Sequence, residues 1–136
     1  MTQTTVFEVV GRQPFFDALV ERFSARVEAD PALRRVYPED IAAGMRSLAL
    51  FLGQYWGGPP IYSEEKGHPR LRMRHAPFPI GAAERDAWLA AMLAALDESD
   101  APQVAREMMR DYFVNASTAM TNTYERGPHP PADAPQ

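Results

Sequence analysis

The stretch GHPRLRMRHAPFPI, residues 67–80, decides how the rest of the chain is interpreted. His75 lies near its centre, and Pro77 and Pro79 follow, so no helix can continue far beyond the histidine. A neutral imidazole held in a short, proline-limited segment has the chemistry of an axial ligand to haem iron. A histidine satisfied by hydrogen bonds in an ordinary loop or core is the commoner outcome for a single histidine, so both interpretations stay open here. The apolar neighbours of the histidine are Leu71, Met73 and Phe78.

A run of cations accompanies this stretch in a protein whose formal net charge is −4. Guanidinium groups pair well with carboxylates, and haem carries two propionates. A solvated basic face is the alternative, and for any single arginine it is the simpler one. The cations are Lys66, Arg70, Arg72 and Arg74.

Length and composition exclude several classes of protein. The chain has 136 residues, of which 46% are hydrophobic, and this suits one globular domain. It contains no cysteine, which excludes disulfides, thiolate ligands, cysteine-held clusters and a cysteine nucleophile. The acidic balance argues against nucleic-acid binding. No apolar run reaches a membrane-spanning length, and the N-terminus lacks the pattern of a signal peptide, so the default location is the cytoplasm.

Apolar residues recur at helical spacing through most of the chain, and no stretch alternates as a β-strand does. The patterns therefore predict an all-α domain over residues 1–124 and a disordered, proline-rich tail over residues 125–136. Residues 1–11 are interpreted as a lead-in, and residues 61–66 as a loop. A short helix is expected after Asp30-Pro31. The long helices are predicted at residues 14–28, 39–55, 81–98 and 102–122.

The buried faces of these helices follow from the same spacing. Two glycines, Gly44 and Gly53, lie inside the second helix, where each costs about 1 kcal/mol relative to alanine, which suggests that their small size is needed. The apolar stripes are Phe15, Phe16, Leu19, Phe23 and Val27; Ile41, Met45, Leu48, Phe51, Leu52 and Tyr55; Trp88, Ala91, Met92, Ala95 and Leu96; and Val104, Met108, Met109, Tyr112, Ala116 and Ala119.

Other site chemistries find little support. A zinc site would need several ligands in one place, but the chain has only three histidines (His68, His75 and His129), no cysteine and no HExxH spacing. The sequence lacks both the GxSxG pattern of a serine nucleophile and a glycine-rich phosphate loop. Buried phenol and indole groups need hydrogen-bond partners, and Tyr37 and Trp88 are the aromatic residues of interest for that reason.

Five short motifs occur in order along the chain. Each of them alone would be weak, but together they are specific. They are RRVYPED (residues 34–40), YWGGP (residues 55–59), YSE (residues 62–64), GHPRLRMRHAPF (residues 67–78) and ERDAWL (residues 84–89).

Together the motifs resemble the group II truncated haemoglobins over roughly residues 7–122. The resemblance implies a two-over-two helical sandwich, a truncated form of the globin fold, around one haem b. It implies that His75 is the proximal ligand of a five-coordinate iron. It also implies that Tyr37 and Trp88 hydrogen-bond the distal ligand, and that Gly44 and Leu48 lie on the helix covering that side, with Gly44 at the gate of the pocket.

One position departs from the family. Where the first long helix commonly carries Phe-Tyr, this chain has Phe23-Ser24. A serine hydroxyl is too short to reach the ligand except through a water. The loss of one hydrogen bond to a partly charged ligand corresponds to about a ten- to hundredfold weaker affinity, so very slow oxygen release is not expected here. Further pocket walls are expected from Phe23, Phe51, Leu52, Leu71, Met73 and Phe78, and propionate contacts from Tyr62 and the arginines near His75.

The resulting hypotheses belong to different classes. The first is a haem protein that reversibly binds O2, with CO and NO as further ligands. The second uses the same haem for oxidation of NO or for reaction with peroxide. This would require an unidentified reductase, because the chain contains no flavin or nicotinamide module. The third is a haem-free helical domain that binds a partner. The sequence leaves open whether the protein is a monomer or a homodimer.

Overall fold

The computed structural model describes residues 4–66 and 81–119. This part of the chain is helical, with no strand among the described residues. The four long helices that were predicted are all confirmed. The helices are α1 (Val6–Val10), α2 (Gln13–Ala29), α3 (Pro31–Arg34), α4 (Ala42–Tyr55), α5 (Ile61–Lys66), α6 (Ala82–Asp97) and α7 (Gln103–Ala119).

Helix α2 is the centre of the packing. Pro14 stands in its first turn, where a missing N–H costs nothing, and the predicted apolar stripe from Phe15 to Val27 is buried in full. Helix α2 packs on α4 and on α6, and α6 packs on α7. Two pairs of helices, α2 with α4 and α6 with α7, are therefore joined through α2 and α6 around one core.

A glycine on α4 leaves room for a side chain from α2. The Gln13 side chain reaches from α2 and donates a 2.9 Å hydrogen bond from Nε2 to the carbonyl oxygen of Ala49. A Cβ atom at Gly53 would overlap the Gln13 side-chain amide, which is the flexible end of that side chain. The glycine therefore lets Gln13 make this contact without moving. Gly44 differs, because among the described residues a Cβ atom there would meet nothing within 4 Å.

Two short helices were not predicted. Helix α1 lies within the expected lead-in, where Thr5 Oγ1 accepts a 3.2 Å hydrogen bond from the N–H of Glu8. Helix α5 occupies residues 61–66, so the loop prediction was wrong there. The Gln54 side chain holds α5 in place, donating to Ser63 Oγ at 2.8 Å and accepting from the Ser63 N–H at 2.9 Å. A polar contact of this kind leaves no apolar periodicity in the sequence.

The buried face of α7 was only partly predicted. Its buried residues are Ala105, Met109, Phe113 and Ser117, whereas Val104 is 71% exposed and Met108 is 46% exposed. The buried face thus combines two large residues with two small ones, and small residues such as Ala105 and Ser117 allow a neighbouring helix to approach. The prediction that Tyr55 is buried was also wrong, because this side chain is 52% exposed.

The remaining predictions fall on parts of the chain outside the described residues. These parts are residues 1–3, the stretch 67–80 that carries His75, and residues 120–136, which include the expected tail and the last residues of the fourth long helix. Among the helices that the structure describes, none combines the length and the apolar character needed to cross a membrane.

Candidate functional site

Tyr37 and Trp88 are brought together by the fold. Tyr37 lies between α3 and α4, and Trp88 lies on α6. Burial raises the pKa of Tyr37 to about 12, and a hydrogen bond with the Trp88 side chain lowers it in part. Because an indole N–H can only donate, the phenol oxygen is the acceptor. The hydroxyl proton of Tyr37 therefore stays available for a third group.

The Trp88 ring is fixed by two edge contacts with phenylalanines. Its centroid lies 5.5 Å from that of Phe23 on α2, with an interplanar angle of 67°, and 6.1 Å from that of Phe113 on α7. T-shaped contacts of this kind favour one ring orientation and add to the burial of both rings. The direction of the indole N–H is thus set from two helices.

An ion pair fastens the segment that carries Tyr37 to the start of α6. Arg35 Nη2 lies 3.1 Å from Glu84 Oε2, and the other carboxylate oxygen of Glu84 accepts a 2.9 Å hydrogen bond from the Gly81 N–H. The backbone hydrogen bond from Gly81 is the main cause that lowers the pKa of Glu84, and Arg35 adds to it. Glu84 therefore stays ionised and joins both chain segments.

Helix α4 presents the predicted pocket residues on one side. Phe51 and Leu52 are buried, whereas Leu48 is half-buried and packs against the same core. Tyr62 on α5 is buried, and its ring meets Phe51 edge-on at a centroid distance of 5.5 Å. Gly44 is exposed, with open space at its Cβ position. Helix α4 thus places its apolar residues in the core and leaves Gly44 exposed in its first turn.

The residue that departs from the family pattern lies beside this region. Ser24 follows the fully buried Phe23 on α2, and its side chain is half-buried. Its contact with a ligand through a water stays a prediction.

The predicted iron ligand, His75, and its neighbours Leu71, Met73 and Phe78 all lie outside the described residues. The same holds for the arginines expected to bind propionates. Within residues 4–66 and 81–119, no three side chains of His, Cys, Asp or Glu form a group that could hold a metal ion.

Sequence reasoning missed two contributors to this site. Phe113, which supports Trp88, follows the buried Met109 by four residues, and that spacing was a usable signal. Arg35 and Glu84 are 49 residues apart in the chain, and nothing local in the sequence indicates that they meet.

The two packed pairs of helices, with a phenol and an indole brought together beside them, have the arrangement of a truncated globin. The family model of the bacterial-like globins matches residues 5–122 of this chain. A curated relative, the group 2 truncated haemoglobin YjbI of Bacillus subtilis strain 168, is 42% identical over 119 residues, which are 88% of this chain and 89% of that protein.

Two solved structures support the same assignment. The haemoglobin of the thermophilic phototrophic bacterium Chloroflexus aurantiacus is 55% identical, with a TM-score of 0.87 covering 89% of this chain and all of that one (100%). The truncated oxygen-avid haemoglobin of Bacillus subtilis is 38% identical, with a TM-score of 0.82 covering 88% and 100% of the two chains. The chain belongs to the bacterial-like globin family, and within it to the group II truncated haemoglobins.

Proposed function

We propose that this protein holds one haem b through His75 and reversibly binds O2, with CO and NO as further ligands. The observation that carries the proposal is the Tyr37–Trp88 pair, because a neutral phenol held by an indole is a hydrogen-bond donor suited to a partly negative ligand. The solved relative from Bacillus subtilis is described as oxygen-avid, and it shares the fold and 38% of the residues.

The described residues fit a haem. Leu48 and Trp88 are half-buried and pack against the apolar core, with the buried Phe51 and Leu52 beside Leu48 on α4. A porphyrin is bound chiefly through such apolar walls, and it needs one strong axial base, for which His75 is the candidate. When bound, the haem would supply the iron at which the diatomic ligand is held.

Tyr37 is proposed as the direct donor to the bound ligand. Its hydroxyl oxygen already accepts from Trp88, so its own proton can be donated onward. A donor that is itself hydrogen-bonded is polarised and donates more strongly. Trp88 is proposed to act mainly through Tyr37, whereas the sequence predicted a direct contact of Trp88 with the ligand. Oxidation of NO and reaction with peroxide require an external reductant, and no described residue favours them over reversible binding.

Absorption spectra of the purified protein test the proposal. The ferric, the reduced and the CO-bound forms are compared for the chain as it stands, for His75→Ala, and for His68→Ala as the matched histidine control. We expect a Soret band that shifts on CO binding in the original protein and in His68→Ala, with loss of the histidine-type reduced spectrum in His75→Ala. An unchanged spectrum in His75→Ala would refute the ligand assignment. No Soret band after addition of haemin would refute haem binding and leave the partner-binding alternative.

A further inference from the structure

Both backbone polar groups of Tyr37 bond to a single residue, Arg34. The N–H of Tyr37 donates to the carbonyl oxygen of Arg34 at 3.1 Å. In return, Arg34 Nη1 donates to the carbonyl oxygen of Tyr37 at 3.4 Å. The position of the Tyr37 backbone, from which its phenol extends toward Trp88, thus depends on the last residue of α3.

The guanidinium of Arg34 also binds the two residues that follow Tyr37. Nη1 donates to the carbonyl oxygen of Pro38 at 2.8 Å, and Nη2 donates to the carbonyl oxygen of Glu39 at 2.6 Å. Three successive carbonyl groups therefore converge on one cation. Pro38 has no N–H and prevents regular helical hydrogen bonding here, so these carbonyls need a donor from elsewhere.

The guanidinium itself is held from the opposite side. Arg34 Nε donates to Glu28 Oε1 on α2 at 3.0 Å, and the Arg34 side chain is only 25% exposed. A planar fork with five N–H donors can serve a carboxylate and several carbonyls together, whereas a lysine ammonium is a single point with a shorter reach. Helix α2 is thereby connected, through Arg34, to the backbone of Tyr37.

Val36 and Tyr37 also pack against the core, and two polar contacts hold the chain on either side of Tyr37. Arg35 pairs with Glu84 on α6, and Asp40 Oδ1 accepts a 3.1 Å hydrogen bond from the Ala42 N–H at the start of α4. Neither contact reaches the backbone of Tyr37. Within the described part of the chain, the hydrogen bonds to the carbonyl groups of residues 37–39 come from Arg34.

We propose that Arg34 is a positioning residue for Tyr37, the proposed donor to the ligand. Its guanidinium binds the carbonyl groups of residues 37–39 and so fixes where the Tyr37 hydroxyl lies beside Trp88. This inference rests on the proposed role of Tyr37 in ligand binding. Arg34 is proposed to act on ligand release through the phenol alone, without contacting the ligand or the haem.

The first test is a double-mutant cycle on O2 release. Arg34→Lys retains the charge and removes the fork, and Tyr37→Phe removes the phenol through which Arg34 acts. We expect Arg34→Lys to accelerate O2 dissociation about three- to tenfold in the original protein and by less than about twofold in the Tyr37→Phe background. Equal acceleration in both backgrounds would overturn the proposal, because Arg34 would then act without Tyr37.

The second test reads the Tyr37–Trp88 contact without any ligand kinetics. The chain has two tryptophans, so a proton–nitrogen NMR spectrum contains two indole N–H resonances. The Trp56→Phe variant identifies which of them belongs to Trp88. The spectrum is taken on the CO-bound protein, or on the protein as purified where no haem is retained. Arg34→Lys is expected to shift the Trp88 resonance and speed its exchange with solvent. An unchanged Trp88 resonance in this variant would overturn the proposal.

Two further variants serve as control and as a milder change. Arg110→Gln removes another arginine–carboxylate pair, whose Nη2 lies 2.6 Å from Asp97 Oδ1, and should alter neither readout. Glu28→Gln leaves the carbonyl contacts of Arg34 in place and should shift both readouts in the same direction as Arg34→Lys, but by less.

If Arg34→Lys fails to fold, an unchanged Trp88 resonance in Glu28→Gln counts against the proposal. If Tyr37→Phe alone leaves O2 release unchanged, the proposed role of Tyr37 as donor to the ligand fails, while the NMR test still decides whether Arg34 positions Tyr37.

Discussion

Two tyrosines, Tyr37 and Tyr112, have the same raised pKa of about 12 but lie in very different surroundings. The phenol of Tyr37 accepts a hydrogen bond from Trp88, and its backbone is held by Arg34. The pKa of Tyr112 is raised by burial and then by the nearby phenol of Tyr55, whose ring centroid lies 4.3 Å from that of Tyr112.

A phenol with a raised pKa does not by itself mark a functional site. Tyr112 lies in a cluster of stacked and edge-on rings with Tyr55 and Trp56, where its contribution is packing. At Tyr37, the hydrogen bond from an indole and the fixed backbone are the distinguishing features, since they give one proton a defined direction. We call the contact of Tyr37 with Trp88 the Tyr37 corner, and the ring cluster of Tyr112, Tyr55 and Trp56 the Tyr112 corner.

The largest effect is expected at Phe113, which connects the two corners. Its ring lies 6.1 Å from Trp88 and 5.5 Å from Tyr112, and it is almost fully buried. Phe113→Ala should lower the free energy of unfolding by about 3–5 kcal/mol, because a cavity opens between the rings. Urea unfolding measures the change, with the exposed Val114→Ala as the control on the same helix. A loss below about 1 kcal/mol would mean that the corners do not share this support.

The second effect separates the corners by function. Tyr37→Phe should accelerate O2 dissociation about ten- to hundredfold, since one hydrogen bond to a partly charged ligand is lost. Tyr112→Phe is the matched change and should leave the rate within about twofold, because it removes the same hydroxyl from a packing cluster. Rapid mixing of the oxygenated protein with a ligand trap measures both rates. Equal rates for the two variants would remove the functional distinction between the corners.

The helices of both corners could be predicted from the sequence, whereas the contacts that distinguish the corners could not. Apolar spacing and prolines placed the four long helices, and the stripe from Phe15 to Val27 is buried as predicted. On α7 the apolar spacing predicted that Val104 is buried, because valine is more hydrophobic than alanine. In the structure the neighbouring Ala105 is buried instead. Small residues permit close packing, and hydrophobicity alone does not rank Ala105 above the larger Val104 beside it.

The candidate pair Tyr37 and Trp88 shows a similar limit. These residues were chosen because a phenol and an indole need hydrogen-bond partners and because the motifs resemble a known family, and the structure brings their side chains together. The role of Arg34 was not visible, because donation from a side chain to backbone carbonyls has no characteristic residue at the accepting end. The helix α5 contact between Gln54 and Ser63 escaped for the same reason. Polar contacts between specific atoms depend on a fold that must already be known.

The third effect is a loss of stability at high pH, which should be of similar size for Tyr37 and Tyr112. It therefore tests the pKa values of the two phenols. Each phenol keeps its proton up to about pH 12 when folded but only to about pH 10 when unfolded, so the unfolded state binds fewer protons between these values. The stability present below about pH 10 should therefore fall as the pH rises, by about 1 kcal/mol per phenol at about pH 11. Urea unfolding at about pH 9 and about pH 11 measures this. Tyr37→Phe and Tyr112→Phe should each reduce the fall by a similar amount, and a change in only one variant would show that the two phenols are not equally shifted.

The smallest effect concerns the outer surface of α7, the helix that carries Tyr112. Val104 is 71% exposed on this helix, whereas Met109 is fully buried. Val104→Ser should change the free energy of unfolding by no more than about 0.5 kcal/mol, as is usual for exposed positions. Met109→Ala, the buried counterpart, should cost about 2–5 kcal/mol. Thermal and urea unfolding at several protein concentrations measure both.

A loss above about 1 kcal/mol for Val104→Ser would mean that this surface is covered in solution. A loss that depends on protein concentration would identify a second copy of the chain as the cover. The Tyr112 corner would then form part of an interface, and its difference from the Tyr37 corner would be one of partner rather than of packing alone.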